Sequence, residues 1–114
     1  MRKVGLLGTA FTMEMPFYRE RLQQKYGLEV LVPNDADRAE THRIIFDELV
    51  QGIVSPQSKL AYRQIIARLV TAGAEAIILG CTELMMIITA EDSAVPLFDT
   101  TTLHCEAALE FALK

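Results

Sequence analysis

Gly80, Cys81, Thr82 and Glu83 place a thiol, a hydroxyl and a carboxylate on consecutive residues at the end of the apolar run 74–80. Glycine lets the backbone turn sharply there and lets a ligand come close. The thiol follows at the start of a short helix that begins with "ELMMII", where unpaired backbone N–H groups and the helix dipole favour negative charge. That setting predicts a lowered thiol pKa and thiolate near neutral pH. The N–H groups of Thr82 and Glu83 point the same way and can hold a carboxylate. A thiolate beside such a pocket suits attack on, or proton removal from, a carbon next to that carboxylate. A purely structural role competes with this one. Free cysteine is among the most buried residue types, and Glu83 in a first helical turn can simply face the dipole.

Positioning these groups takes a scaffold, and its punctuation is readable. Residues 3–7 and 74–80 are short apolar runs ending in glycine, 28–33 is stopped by Pro33, and 95–100 follows the same pattern; each reads as a strand. Between the first two runs, Pro16 and Gly27 bracket a helix. Asn34 or Asp35 caps the next, whose Ile44, Ile45, Leu49 and Val50 recur at helical spacing up to Gly52. Ser55 caps a third, with Pro56 first, Gly73 last and a buried stripe of Leu60, Ile65, Ile66, Leu69 and Val70. A final helix is expected over 102–113. The order is β-α-β-α-α-β-α-β-α, and the strands are apolar throughout rather than alternating. Strands buried on both faces imply an α/β fold, a four-stranded parallel sheet with helices on both faces. Open parallel sheets bind ligands beyond the carboxyl ends of their strands. Thr9, Thr12, Cys81, Thr82, Glu83, Asp99, Thr100, Thr101 and His104 are therefore expected at one edge. Thr9 and Thr12 also fit turn and capping roles, His104 a helix position and Cys105 a small core position.

Composition narrows the partners. The chain has 114 residues, 51% hydrophobic and 23% charged, which is one globular domain with no linker, repeat or low-complexity stretch. Its net charge of −4 and lack of a basic stripe speak against nucleic acid. The early break in the apolar stretch after "MRKVGLLGTAF" argues against a signal peptide, and no run reaches the length of a membrane span. A soluble, cytoplasmic chain with free thiols is expected. His42, His104 and the two cysteines have no metal-ligand spacing, so no metal is expected.

Three blocks in order, "LLGTAFTMEMPFYRERL", "IILGCTEL" and "VPLFDTTTLHCEAALEFAL", resemble the second half of the aspartate/glutamate racemase family, nearest its aspartate and broad-specificity amino-acid racemases. The resemblance spans essentially the whole chain. It implies one lobe of a two-lobed racemase fold, with residues from about 101 to 114 as a crossover helix packing on the first lobe. It also implies catalysis without metal, pyridoxal phosphate or other cofactor. In that mechanism two cysteines flank the substrate α-carbon; one, as thiolate, removes the proton and the other, as thiol, returns one from the far face. By motif, Cys81 is the second catalytic cysteine, and Thr9, Thr82 and Glu83 contact an amino-acid substrate such as aspartate or glutamate. No asparagine-threonine block with a first cysteine occurs here, and Cys105 does not replace it. The expectation is a second lobe that works with a missing N-terminal lobe or as a homodimer. Two other readings stand beside it: a one-cysteine decarboxylase or isomerase of the same superfamily, and a non-catalytic carboxylate-binding domain.

Overall fold

Four short strands, all parallel, form the centre of the computed structural model, which describes residues 3–9, 13, 20, 23–24 and 27–99. They are Lys3–Leu7 (β1), Glu29–Leu31 (β2), Ala76–Leu79 (β3) and Leu97–Asp99 (β4), in the sheet order β2-β1-β3-β4. β1 pairs with β3 from Val4 opposite Ala76 to Leu7 opposite Leu79, and β3 pairs with β4 from Ile77 opposite Leu97 to Leu79 opposite Asp99. Alternation along each strand sends Leu7, Ile77 and Leu79 to one face and Val4, Leu6, Ala76 and Ile78 to the other. Both sets are buried, which is why these strands carry no polar alternation.

The helices Asp35–Asp47 (α1) and Pro56–Thr71 (α2) cover the first face. Each starts where a side chain takes over an orphan backbone donor. Asn34 accepts the Asp37 N–H at 2.8 Å, and Ser55 accepts those of Gln57 and Ser58 at 3.1 and 3.3 Å. Gly73, at φ +116, supplies the left-handed turn that ends α2. Ile44 and Ile45 of α1 and Tyr62, Ile65, Ile66 and Leu69 of α2 pack on the sheet, each burial contributing about 1.5–3 kcal/mol of transfer free energy. Gly5 makes room for them. A Cβ there would lie 2.8 Å from Ile77 Cδ1 and 3.1 Å from Leu69 Cδ1.

Three contacts set α1 antiparallel to α2. Arg68 grips Asp37 through two bonds of 2.7 and 2.8 Å, Tyr62 Oη donates to the Thr41 carbonyl at 3.1 Å, and Ser58 Oγ donates to Glu48 at 2.6 Å. α2 runs back from the carboxyl edge to reach β3, so α1 climbs towards that edge.

Two helices differ from what their sequence patterns predict. α1 stops at Asp47, and a separate 3-10 turn, Leu49–Gln51, carries the chain to Gly52. Its tighter winding leaves Val50 57% exposed while Leu49 is buried. On α2, Leu60 is 55% exposed and Tyr62 is wholly buried. The stripe is 62, 65, 66 and 69, and Leu60 stands about 140° round the helix from Ile65. Val70 lies at the margin of that stripe, partly buried. Of the helix expected over 16–27, Glu20, Gln23 and Gln24 are helical, and Gly27, at φ +66, donates its N–H to the Gln23 carbonyl at 2.9 Å. The helix expected over 102–113 lies outside the described residues.

Candidate active site

The strand order changes direction between β1 and β3. From β1 the chain moves outward to β2, then crosses to β3 on the other side. Such a switch point opens a crevice beyond the carboxyl ends of the two central strands, since their connections leave in opposite directions. The loops flanking it are Gly8-Thr9 and Gly80-Cys81. Gly80 N–H donates to the Leu7 carbonyl at 2.6 Å, carrying the ladder one residue past β3. Thr9 follows Leu7 by two residues as Cys81 follows Leu79, so both leave the sheet at its carboxyl edge. Thr9 is half-buried, and its carbonyl accepts the Met13 N–H at 3.0 Å, which begins a helical turn at this edge.

Cys81 leaves β3 still extended, at φ −142 and ψ 129, and the chain then winds into the 3-10 turn Thr82–Met86. Leu84 and Ile87 are buried and pin that turn to the core. Cys81 is half-buried, packs against the same core, and donates its S–H to Glu83 Oε2 at 2.8 Å. The sequence places this thiol and carboxylate two residues apart, and the turn brings them into contact.

The electrostatics reverse the expectation of a lowered thiol pKa. Burial pushes the Cys81 thiol up from 9.0 to about 11, with the Glu83 carboxylate adding to the rise by accepting the S–H. The backbone N–H groups of Glu83 and Leu84 act in the opposite sense and are outweighed. The reason is structural. The helix after Cys81 is a five-residue 3-10 turn, too short to align a dipole of full strength, and the nearest charge is negative. Near neutral pH, Cys81 is a thiol rather than a thiolate.

Thr82 opens the turn and Asp99 ends β4 beside Leu79, so both sit at the expected edge. Thr12, Thr100, Thr101, His104 and Cys105 lie outside the described residues. Tyr62 was absent from the sequence reading of the site. Its phenol is pushed above the usual tyrosine range by burial first, and next by negative charge at Cys81, its neighbour in the core. The spacing 62/65/66/69 was the signal for it. Asp92 was also missed, although Thr89-Ala90-Glu91-Asp92 carries the threonine-x-x-acid pattern of a capping box, which the structure forms. Among the described residues no group of His, Cys, Asp or Glu is arranged to hold a metal ion, and no helix is long and apolar enough to cross a membrane.

An open parallel sheet with a thiol–carboxylate pair at its switch point defines an α/β lobe. The family follows from comparison. Residues 1–108 match the family model described as Asp/Glu/Hydantoin racemase, and the chain belongs to that family. It is similar to a crystal structure of a proposed Asp/Glu racemase from Yersinia pestis, with 49% identity and a TM-score of 0.87 over 100% of this chain and 50% of that one. An aspartate racemase homologue from Pyrococcus horikoshii OT3 shows 43% identity and a TM-score of 0.81, over 99% of this chain and 49% of its own. An uncharacterized protein of the pnlA 3′ region of Pectobacterium carotovorum subsp. carotovorum is 34% identical over 94 residues, 82% of this chain and 61% of its own. The chain thus spans about half the length of the solved relatives and less than two thirds of the curated one.

Proposed function

We propose that this chain is the lobe of an aspartate/glutamate-type amino-acid racemase that carries one of two proton-transferring cysteines, Cys81. Family membership supports racemase chemistry. The observation that carries the assignment to Cys81 is the thiol donating to Glu83 at 2.8 Å, at the switch point between β1 and β3. In this reading a base on the far face takes the α-hydrogen as a proton, and its electron pair spreads into the substrate carboxylate. Cys81 then delivers its S–H proton to the near face, so the centre inverts with no net change in atoms or electrons. A thiol held protonated near neutral pH suits the donor's part. The thiolate it becomes is received by the Glu83 and Leu84 N–H groups, and in the reverse direction it is the base. Thr9, Thr82 and Glu83 are the proposed substrate contacts, with neither a metal nor another cofactor taking part. The second acid/base group comes from another lobe, either the remainder of a family-length chain or a second copy, in a soluble cytoplasmic enzyme.

Incubation in heavy water with each enantiomer of aspartate and glutamate tests this. One thiol exchanges the α-hydrogen from one face, so deuterium should enter one enantiomer with retention, and Cys81→Ser should abolish it. Absence of exchange in every substrate overturns the reading. Fast inversion by a monomer would show that a second cysteine is dispensable. The protonated thiol also favours one rival, a decarboxylase in which Cys81 protonates the carbanion left as carbon dioxide departs; gas release without α-hydrogen exchange would carry that alternative.

A further inference from the structure

The segment that follows Cys81 is fastened to α2 by a continuous series of hydrogen bonds, beginning at the carbonyl of Cys81 itself. Leu84 N–H donates to Cys81 O at 3.1 Å, and the N–H groups of Ile87 and Ile88 donate to Leu84 O at 3.2 and 2.8 Å. Lys59 Nζ, on the first turns of α2, then donates to Ile87 O at 3.0 Å. The same ammonium lies 2.5 Å from Asp92 Oδ2, and Arg63, one turn further along α2, donates through Nε to Asp92 Oδ1. Asp92 Oδ2 also accepts the Thr89 N–H at 2.8 Å and the Thr89 hydroxyl at 3.2 Å. The Asp92 side chain is 1% exposed, yet these donors hold its carboxyl well below the usual carboxylate range against the opposing effect of burial. It is a buried anchor that is ionised at neutral pH.

Segment 81–92 is therefore pinned at both ends. Upstream, β3 holds it in the sheet; downstream, Lys59 and Asp92 hold it on α2. Between these points Leu84, Ile87 and Ile88 insert into the core that the Cys81 sulfur packs against. We propose that Lys59 and Asp92 are positioning residues for Cys81, fixing the 82–88 segment so that the thiol stays shielded by the core and within reach of Glu83. The proposal rests on Cys81 being the working group of the site. Its physical content, control of the thiol's environment, is measurable without turnover. The Asp37–Arg68 pair provides the comparison, because it is also a carboxylate–cation contact to α2 but joins α1 to it, with both of its bonds between Arg68 and Asp37.

The experiment is alkylation of Cys81 as a function of pH in a Cys105→Ala background, so that one thiol reports. Lys59→Met keeps the aliphatic stem and removes the ammonium. Water then reaches the sulfur and the grip of Glu83 loosens, so the titration midpoint should fall by about one pH unit and the rate at pH 8 should rise about tenfold. Lys59→Arg should restore the original profile. Arg68→Met should lower the melting temperature without moving the midpoint. If the single variant does not fold, the double variant Lys59→Met/Asp92→Asn gives the same reading, because it leaves no buried charge unpaired: Arg63, which loses its partner, is 46% exposed and keeps its charge in water. An unchanged midpoint on loss of Lys59, or an equal shift in Arg68→Met, overturns the proposal. If the midpoint shifts as stated while no variant exchanges substrate hydrogen, the racemase reading fails and the positioning role stands. If exchange proceeds and the midpoint is fixed, only the positioning role fails.

Discussion

The thiol of Cys81 is governed by two influences that sequence presents with opposite weights. The motif shows a cysteine before a helical segment, which argues for a stabilised thiolate. The folded chain shows a short 3-10 turn, a sulfur against apolar side chains and a carboxylate as hydrogen-bond partner. Burial and Glu83 prevail. A residue two places along the chain can be read as a neighbour in sequence, but whether it accepts the S–H depends on the turn geometry, which the letters do not specify. Glu83→Gln removes the negative charge and weakens the acceptor, so the Cys81 midpoint should fall below about 11. The sign for stability follows from proton binding. A thiol raised from 9.0 to about 11 binds its proton more tightly in the folded chain, so its contribution is complete below pH 9 and lost as pH rises through 11. Urea unfolding of the two proteins should agree at pH 8 and separate by pH 10.5, with Glu83→Gln losing less. Equal losses would mean that Glu83 does not act on the thiol.

At the scale of elements, the strands and helix starts were legible because each is set by local physics. Asn34, Ser55 and Pro56 act where their chemistry predicts, and the apolar runs became the four strands in parallel register. What was not legible depends on rotation about an axis. Leu60 and Leu69 are equally apolar, but only the second lies in the 62/65/66/69 stripe, and the deciding residue was an aromatic with a polar tip. Asp92 was missed for a related reason. Its partners Lys59 and Arg63 are 33 and 29 residues away, a separation at which charge patterns say little. Packing between elements is close over Gly5, where α2 approaches β1 and β3. Gly5→Ala forces the tips of Ile77 and Leu69 aside, and both are flexible chain ends. A loss of about 1 kcal/mol is expected, at the low end for overpacking, with Gly5→Val costing more. Chemical denaturation of the three proteins checks the order; an unaffected Val variant would show that the α2–sheet contact is loose.

For the whole molecule, the distribution of exposed apolar side chains is uneven in a way that bears on assembly. Among the described residues the large exposed ones are Phe46, Val50, Ile53, Val54, Leu60, Met85 and Met86. Most belong to the end of α1, the turn Leu49–Gln51 and the turn Thr82–Met86, and these two turns touch. Because α1 climbs to the carboxyl edge and Thr82–Met86 follows Cys81 there, the apolar surface adjoins the candidate site rather than lying behind it. Exposed apolar side chains gathered on two touching turns favour burial against a partner, and the solved relatives are twice this length. A homodimer of this chain, with Val50 and Met86 in the contact, is therefore expected in solution. Sedimentation velocity across a hundredfold range of concentration should show the dimer, and Val50→Glu with Met86→Glu should return it to monomer. A monomer at every concentration, or a dimer indifferent to both charges, would place the contact elsewhere and leave the surface beside Cys81 open to a lobe of another chain.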